Sequence, residues 1–357
     1  MALVLDALVN TGGAERVLTH MQAAFPSAPI YTAAYLPEQT YAEFKTAHVL
    51  PLPGWRLARS ERAAKRLLPV WLVGFARLDL SRFDIILTSS TWGAKFVRPP
   101  RSAIHVCYCY APFRWLWNPR SYSADSLPFG GLGQRALDLL RAPLRRADYQ
   151  VTRAIPRLAT TCANMARAIE ACYGRSARII YAPIRVDDYG LASEPDDYYL
   201  VVSRLISHKR LDLAVTACRE LGRRLIVVGE GPERAALAAQ AGVDTRFVGR
   251  LPDAEVRHLY AHCRAVIYPS LEDYGLVPLE AQAAGRPVIA YGRGGALETI
   301  QEGVTGVFFH DQTAEALIAA IQDFETVRFD SHVIRQAALR FDVGPFINHL
   351  REYVLAE

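Results

Sequence analysis

No apolar stretch in these 357 residues is long enough to cross a bilayer. The run LLPVWLVGFA at 67–76 has about half the length required. The chain opens almost directly on an apolar strand, with no cationic stretch of the kind that begins a secretory leader, so a cytoplasmic protein is expected. Cysteine is sparse: Cys107, Cys109, Cys162, Cys172, Cys218 and Cys263 are scattered, mostly in apolar contexts that suit small core side chains. Cys107 and Cys109 alternate within a strand and have no matching second pair, which argues against a structural zinc; no metal ligand set is expected. Excess charge is also small. The balance of 41 basic against 36 acidic residues, +5, does not mark a nucleic-acid binder. The first glycine turn lacks the G-x-G-x-x-G spacing, which weighs against a nicotinamide-dependent dehydrogenase. No internal repeat is evident.

What is present is a globular composition, 51% hydrophobic and 22% charged, in a chain long enough for two domains. Residues 2–9, ALVLDALV, read as a buried strand; the turn NTGG at 10–13 follows, then a helix from Ala14 to about Ala24. Further strands fit Ile30–Ala34, Ile85–Thr88, Ile104–Tyr108 and Gln150–Thr152. The aromatic, proline-broken string at 112–133 has no period and reads as a functional loop or lid. In the second half, strands at 198–203, 224–228, 246–249, AVIYP, 287–290 and 305–309 alternate with helices of about ten residues. That rhythm predicts parallel sheets covered on both faces. The acidic, aperiodic segment 181–197 marks the boundary. The expected layout is a first domain over 1–182, a second over 183–340, and a closing segment 341–357 whose helix, about 344–355, packs back on the first. The predicted fold is α/β, two Rossmann-like domains facing across a deep crevice.

The densest chemistry lies in YPSLEDYGLVPLEAQAAGRPVIA at 268–290. Glu272 and Glu280 stand eight apart: a strand has ended, a Tyr-Gly turn has passed, and a helix begins near Val277. One acid sits at a loop mouth, the other in the first turns of a helix whose start offers unpaired amides to an anion. Carboxylates that accept from hydroxyls, beside amides that hold phosphate, suit a nucleotide-sugar. Arg204 and Lys209 follow the strand ending at Ser203, where two cations could neutralise a diphosphate. The plain alternative is a solvated loop pair.

These residues, with TGGAER at 11–16, SRLISHKRLDLAV at 203–215, VVGEGPE at 227–233, FVGRLPDAEV at 247–256 and GRGGALETIQEGVTG at 292–306, resemble the retaining GT-B glycosyltransferases of glycosyltransferase family 4, especially bacterial mannosyltransferase-like members. The resemblance runs nearly end to end in the family's order. It implies an acceptor-binding first domain and a second that binds the nucleotide-sugar. It gives Arg204 and Lys209 the diphosphate, Glu280 the ribose, and Glu272 the donor sugar. Tyr274, Gly275, Leu276 and Val277 would hold sugar and diphosphate through the backbone, with Pro278 only shaping the turn. Gly12 and Gly13 would meet the donor phosphates, and Arg250 and Leu251 the base. One departure stands out. Where the family's bacterial members commonly carry YCHTP, this chain has Tyr110-Ala111-Pro112. A tyrosine donates a hydrogen bond but is a poor base, so Tyr110 in a catalytic position puts rate or sugar preference in doubt. His105 lies on a strand, where a structural role is the plainer reading.

The activity implied is metal-independent transfer of a hexosyl unit from a nucleoside diphosphate sugar, GDP-mannose for preference, with retention of configuration and no cofactor. The expected acceptor is a saccharide, polyprenyl-diphosphate-linked or part of a surface glycan such as lipopolysaccharide. Lys95, Arg98, Arg114, Trp115 and Trp117 are candidates for its wall. Six cations from Arg56 to Arg77, against the single acid Glu61, surround the 67–76 run. They suggest peripheral contact with anionic lipid at the inner face of the membrane. A helical pair packed on its own domain is the alternative. A nucleotide-sugar-binding regulatory or scaffold protein with weak or lost transfer is the competing function, motivated by Tyr110.

Overall fold

The computed structural model describes residues 1–118 and 131–356. The chain forms two compact units. The first is Met1–Ala182 with the segment from Phe346 onward; the second is Pro183–Pro345. Each is a parallel sheet between helices, a Rossmann-like arrangement. Among the described residues no helix is long and apolar enough to cross a membrane.

The first sheet has seven strands: β1 (Ala2–Leu5), β2 (Ile30–Thr32), β3 (Val49–Pro51), β4 (Ile85–Ser90), β5 (Ile104–Cys109), β6 (Arg157–Thr160) and β7 (Arg178–Ile179). Their order is β3-β2-β1-β4-β5-β6-β7, with every pairing parallel. The second sheet has six: β8 (Tyr199–Val202), β9 (Leu225–Val228), β10 (Thr245–Gly249), β11 (Ala265–Tyr268), β12 (Val288–Tyr291) and β13 (Gly306–Phe309). These run β10-β9-β8-β11-β12-β13, again all parallel. Helices cover both faces, so a central strand such as β1 or β11 is buried along its whole length and reads as an unbroken apolar run. The second core joins Val201, Ile267, Ile289 and Phe309 from the strands to Leu213, Leu317 and Ile321 from the helices. Each such side chain, fully buried, contributes about 1.5–3 kcal/mol.

Strand order reverses between β1 and β4 in the first sheet and between β8 and β11 in the second. At such a reversal successive crossovers leave in opposite directions, and a cleft opens beyond the carboxyl ends of the two strands. The loops after β1, β4, β8 and β11 are therefore where each unit can hold a ligand.

Gln150–Thr152 does not form the expected strand. It continues a helix, Gly131–Ala154. Asp148, Thr152 and Ile155 are all buried, at spacings of four and three, which is the helical period and not the strand's alternation. Strands β3, β6 and β7, two to four residues each, carry too little pattern to be read from sequence. The 67–76 run is a helix, Leu68–Ala76, but its Trp71 faces inward, 1% exposed, with the indole N–H on Ala64 O at 2.9 Å. Val70 and Val73 face outward instead, as do Leu57, Arg56, Arg59, Arg66 and Arg77. The side chains of Arg62 and Lys65 lie outside the described part, as do residues 119–130 of the expected loop at 112–133.

The helix Val343–Leu355 begins at the close of the second unit and ends within the first. Its side chains bind that first unit: Tyr353 Oη donates to Leu158 O at 2.9 Å, Arg351 Nε to Ala24 O at 2.9 Å, and Phe346 meets the Tyr108 ring edge-on at 6.1 Å.

Candidate functional site

In the second unit the loop after β8 carries both expected cations. Arg204 is exposed, with no ion-pair or hydrogen-bond partner for its guanidinium among the described residues. Lys209 ends a short 3-10 turn, Ser207–Lys209. The next residue, Arg210, holds φ +52, the one non-glycine residue in the left-handed region among those described. This conformation is uncommon for a side chain of that size, and hydrogen bonds from Arg210 to Asp212 and Gln312 O brace it. The sharp reversal sends the chain into the helix Leu211–Leu221 and leaves Lys209 at its entrance. The Lys209 ammonium ion-pairs with the Glu272 carboxylate, which arrives from the loop after β11. The two loops of the switch point thus meet through these two residues.

The Tyr274-Gly275 turn follows. Gly275 has φ +83, and a Cβ there would collide with the Tyr268 hydroxyl beneath it, so only glycine fits. Across the turn, Gly295 N–H donates to Glu272 O at 2.9 Å, laying the loop after β12 along the motif. Leu276 caps the helix Val277–Ala283, with Pro278 in its first turn. That helix has only seven residues, so the two cations carry more of the electrostatic argument than its amides do. Glu280 is half-buried on its first turns and accepts a hydrogen bond from Tyr260 Oη at 2.8 Å.

Arg250 and Leu251 join this group through the backbone. Ser203 N–H donates to Val228 O at 3.0 Å, Leu205 N–H to Glu230 O at 2.9 Å, and Gly229 N–H to Gly249 O at 2.8 Å. Gly229, at φ +129, is pressed against Ser203 O so closely that no side chain fits. The carboxyl ends of β8, β9 and β10 are laced together in this way, bringing the Arg250–Leu251 turn and the Arg204 segment to one edge of the unit.

The first unit spends its polar groups differently. Gly12 caps the helix Gly13–Ala24 in extended conformation, and the turn is approached by Tyr41, whose hydroxyl donates to Gly12 O at 3.4 Å. Tyr110 Oη donates to Ala14 O at 3.1 Å and lies 2.9 Å from Ser89 Oγ. Since a carbonyl can only accept, the phenol proton goes to Ala14 and Ser89 supplies the other bond. Loss of hydration raises the Tyr110 pKa far above a tyrosine's ordinary value. The residue therefore pins the start of the helix and stays protonated. His105 is a core residue bonded to Thr88 Oγ1 at 3.1 Å, and burial lowers its pKa to about 4.

Two arrangements escaped the sequence reading. Asp6 accepts from the amides of Thr91 (2.6 Å), Trp92 (2.9 Å), Gly93 (2.8 Å) and Ala94 (2.6 Å), and from Ser90 Oγ (3.2 Å). The loop after β4 has the amide nest of an anion site, and the chain's own carboxylate fills it. Burial raises the Asp6 pKa against the opposing pull of those amides. Lys95, expected on an acceptor wall, is fully buried and pairs with Asp148 at 2.6 Å. Tyr173 Oη and Trp117 Nε1 each donate to Asp148 Oδ2 at 2.7 Å. Burial, the largest single influence, pulls the Lys95 pKa down, but Asp148 together with its other polar neighbours raises it above the ordinary lysine value, and the ammonium keeps its charge. Trp115 is buried as well. Of the five candidates for that wall, only Arg98 and Arg114 stand exposed. An aspartate in the middle of the first apolar strand was the one available signal for the Asp6 nest; nothing local marks Tyr260 or Asp148.

Residues 188–340 match the family model described as glycosyl transferases group 1. The GDP-mannose-dependent alpha-(1-6)-phosphatidylinositol monomannoside mannosyltransferase of Mycolicibacterium smegmatis is 31% identical over 226 residues, which is 54% of this chain and 58% of that protein. A glycogen synthase of Pseudomonas aeruginosa is 34% identical over 161 residues, 42% of this chain and 30% of the relative. The chain thus spans less than two thirds of the length of either. Among solved structures, sucrose-phosphate synthase from Thermosynechococcus elongatus is similar at TM-score 0.73 and 16% identity, covering 99% of this chain and 98% of that one. Anabaena HepE in complex with UDP-glucose is similar at TM-score 0.69 and 18% identity, covering 100% and 99%. At these identities the likeness speaks for the fold, and it places the two parallel-sheet domains in the GT-B fold class.

Proposed function

We propose that the chain is a retaining glycosyltransferase that moves a hexosyl unit from a nucleoside diphosphate sugar to a hydroxyl acceptor. The observation that carries this reading is the meeting of the β8 and β11 loops, where Lys209 and Glu272 touch, the exposed Arg204 lying on the same β8 loop. The match of residues 188–340 to the glycosyl transferases group 1 model supports it.

Arg204 and Lys209 take the diphosphate, aided by the backbone from Tyr274 to Val277; Glu280 takes the ribose, and the Arg250–Leu251 turn takes the base. The C1–O bond to the phosphate breaks while the acceptor oxygen bonds to C1 on the same face, and the acceptor's proton passes to the departing phosphate oxygen. The two cations hold the charge that grows on that phosphate, so the scheme uses no metal. Glu272 has two duties: it orients Lys209 in the free protein and faces the sugar hydroxyls once phosphate draws Lys209 away. Tyr110 serves by holding the Gly12–Gly13 turn.

GDP-mannose is the donor we favour, on the strength of the M. smegmatis relative, which is named as dependent on it. For the acceptor we favour a lipid-linked saccharide brought to the first unit at the inner face of the membrane. Exposed Leu57, Val70 and Val73 among Arg56, Arg59 and Arg66 form a surface suited to anionic lipid. Incubation with GDP-, UDP- and ADP-sugars and a panel of saccharide acceptors tests the reading. Transfer with retention supports it, and cosedimentation with anionic but not neutral vesicles supports the lipid surface. The phenol of Tyr110, committed to Ala14 O, favours one second reading, a nucleotide-sugar-binding regulator. Donor binding without transfer or hydrolysis would select that alternative.

A further inference from the structure

Tyr260 lies on the helix Asp253–His262, one strand away from the motif it serves. It is 1% exposed, and its ring is fixed edge-on to Tyr189 at 6.0 Å. A phenol this deeply buried keeps few options for its hydroxyl. The one taken here is donation to Glu280 Oε2 at 2.8 Å, a charge-assisted bond. Burial and the neighbouring carboxylate push the Tyr260 pKa well above the ordinary tyrosine value, so the donor is present at any working pH.

Glu280 sits half-buried on the solvent side of this pair. A glutamate has three rotatable bonds, and binding a diol with it loses rotamer freedom unless something has fixed it beforehand. An ionised carboxylate offers about four lone-pair positions. The bond from Tyr260 occupies one of these positions. We infer that Tyr260 is a positioning residue for the donor nucleotide, holding Glu280 in the orientation that accepts from the ribose cis-diol. This rests on the ribose role proposed above for Glu280. Tyr260 touches no ligand in this account; it acts through the carboxylate.

The test is a binding comparison on the full chain. GDP and UDP are titrated calorimetrically beside their 2′,3′-dideoxy counterparts, into wild type, Tyr260→Phe, Glu280→Gln and the double variant. Wild type is expected to favour the ribonucleotides. Tyr260→Phe keeps the ring, and should weaken the ribonucleotide about 10-fold while moving the dideoxy form by no more than about twofold. On the Glu280→Gln background the same change should add little, because both substitutions act on one interaction. Equal weakening of both nucleotide forms would show a packing role only and overturn the inference, as would an unchanged preference. Were wild type to bind both forms alike, the ribose role of Glu280 fails and takes Tyr260 with it. If neither GDP nor UDP bound, and ADP titrated in the same way did not either, the transferase reading itself would fall. Thermal melts establish that each variant is folded; should the Phe variant not be, Tyr260→Met, equally without a donor, carries the comparison.

Discussion

The two units share a plan and treat charge in opposite ways. In each, a parallel sheet reverses its strand order and loops gather beyond the carboxyl ends. In the first unit several polar and charged groups at that end are turned inward, although Arg98 and Arg114 stay exposed: Asp6 fills its own amide nest, Lys95 and Asp148 neutralise each other, and Tyr110 binds Ala14 O. In the second, Arg204 stands in solvent, and Lys209 is held by a carboxylate that keeps some exposure, 24%. A buried, satisfied ion pair fixes geometry but has nothing left to offer a ligand. An exposed cation contributes little to stability and can be claimed by phosphate. The same fold thus yields a unit that commits much of its electrostatics to shape and one that leaves charges within reach of solvent.

Four sets of substitutions would break or sharpen that contrast. The largest effect is expected at Lys95→Met, which leaves Asp148 as an uncompensated buried charge. A loss of about 3–5 kcal/mol in denaturant unfolding is expected, and pairing it with Asp148→Leu should restore much of it. A loss below about 1 kcal/mol would mean that the pair is not structural in the sense argued. Next is His105. Its folded pKa of about 4 lies below the ordinary 6.5. In that window the unfolded chain binds the extra proton, so stability is complete above pH 6.5 and falls as pH drops toward 4, by about 3 kcal/mol. His105→Gln should flatten the pH dependence of the unfolding midpoint between pH 7 and pH 4.5. In the second unit, Arg204→Ala or Lys209→Ala should lower kcat for transfer about 100-fold while leaving the melting temperature nearly unchanged. A large stability loss there would erase the contrast between the units. The smallest effect belongs to Tyr110→Phe, which removes the phenol's bonds with Ala14 O and Ser89 Oγ and should cost about 1 kcal/mol of stability. If it abolished transfer without that loss, the phenol would have a chemical role that its bond to Ala14 O does not suggest.

Much of this was legible along the chain. Strands β8, β11 and β12 are apolar runs because helices cover both faces, and the 268–290 motif lies where its spacing put it, one acid in the loop and one on the helix. The illegible part shares one cause: partners distant in sequence. Asp6 meets Ala94 across 88 positions, and Tyr260 meets Glu280 across 20. Lys95 looked like a loop cation because nothing near it in sequence announces Asp148. Gln150–Thr152 looked like a strand, and the burial of Asp148, Thr152 and Ile155 that marks the helix shows only in the folded chain.

The helix Val343–Leu355 has a practical consequence. Because its later turns belong to the first unit, the backbone passes from one unit to the other at two places, after Ala182 and again after Pro345. Cleavage at either crossing alone would leave the halves tethered by the other. Removing the last dozen residues would spare the second unit and instead strip the first of Phe346, Leu350, Arg351 and Tyr353, so damage from the tail would be felt near the chain's beginning.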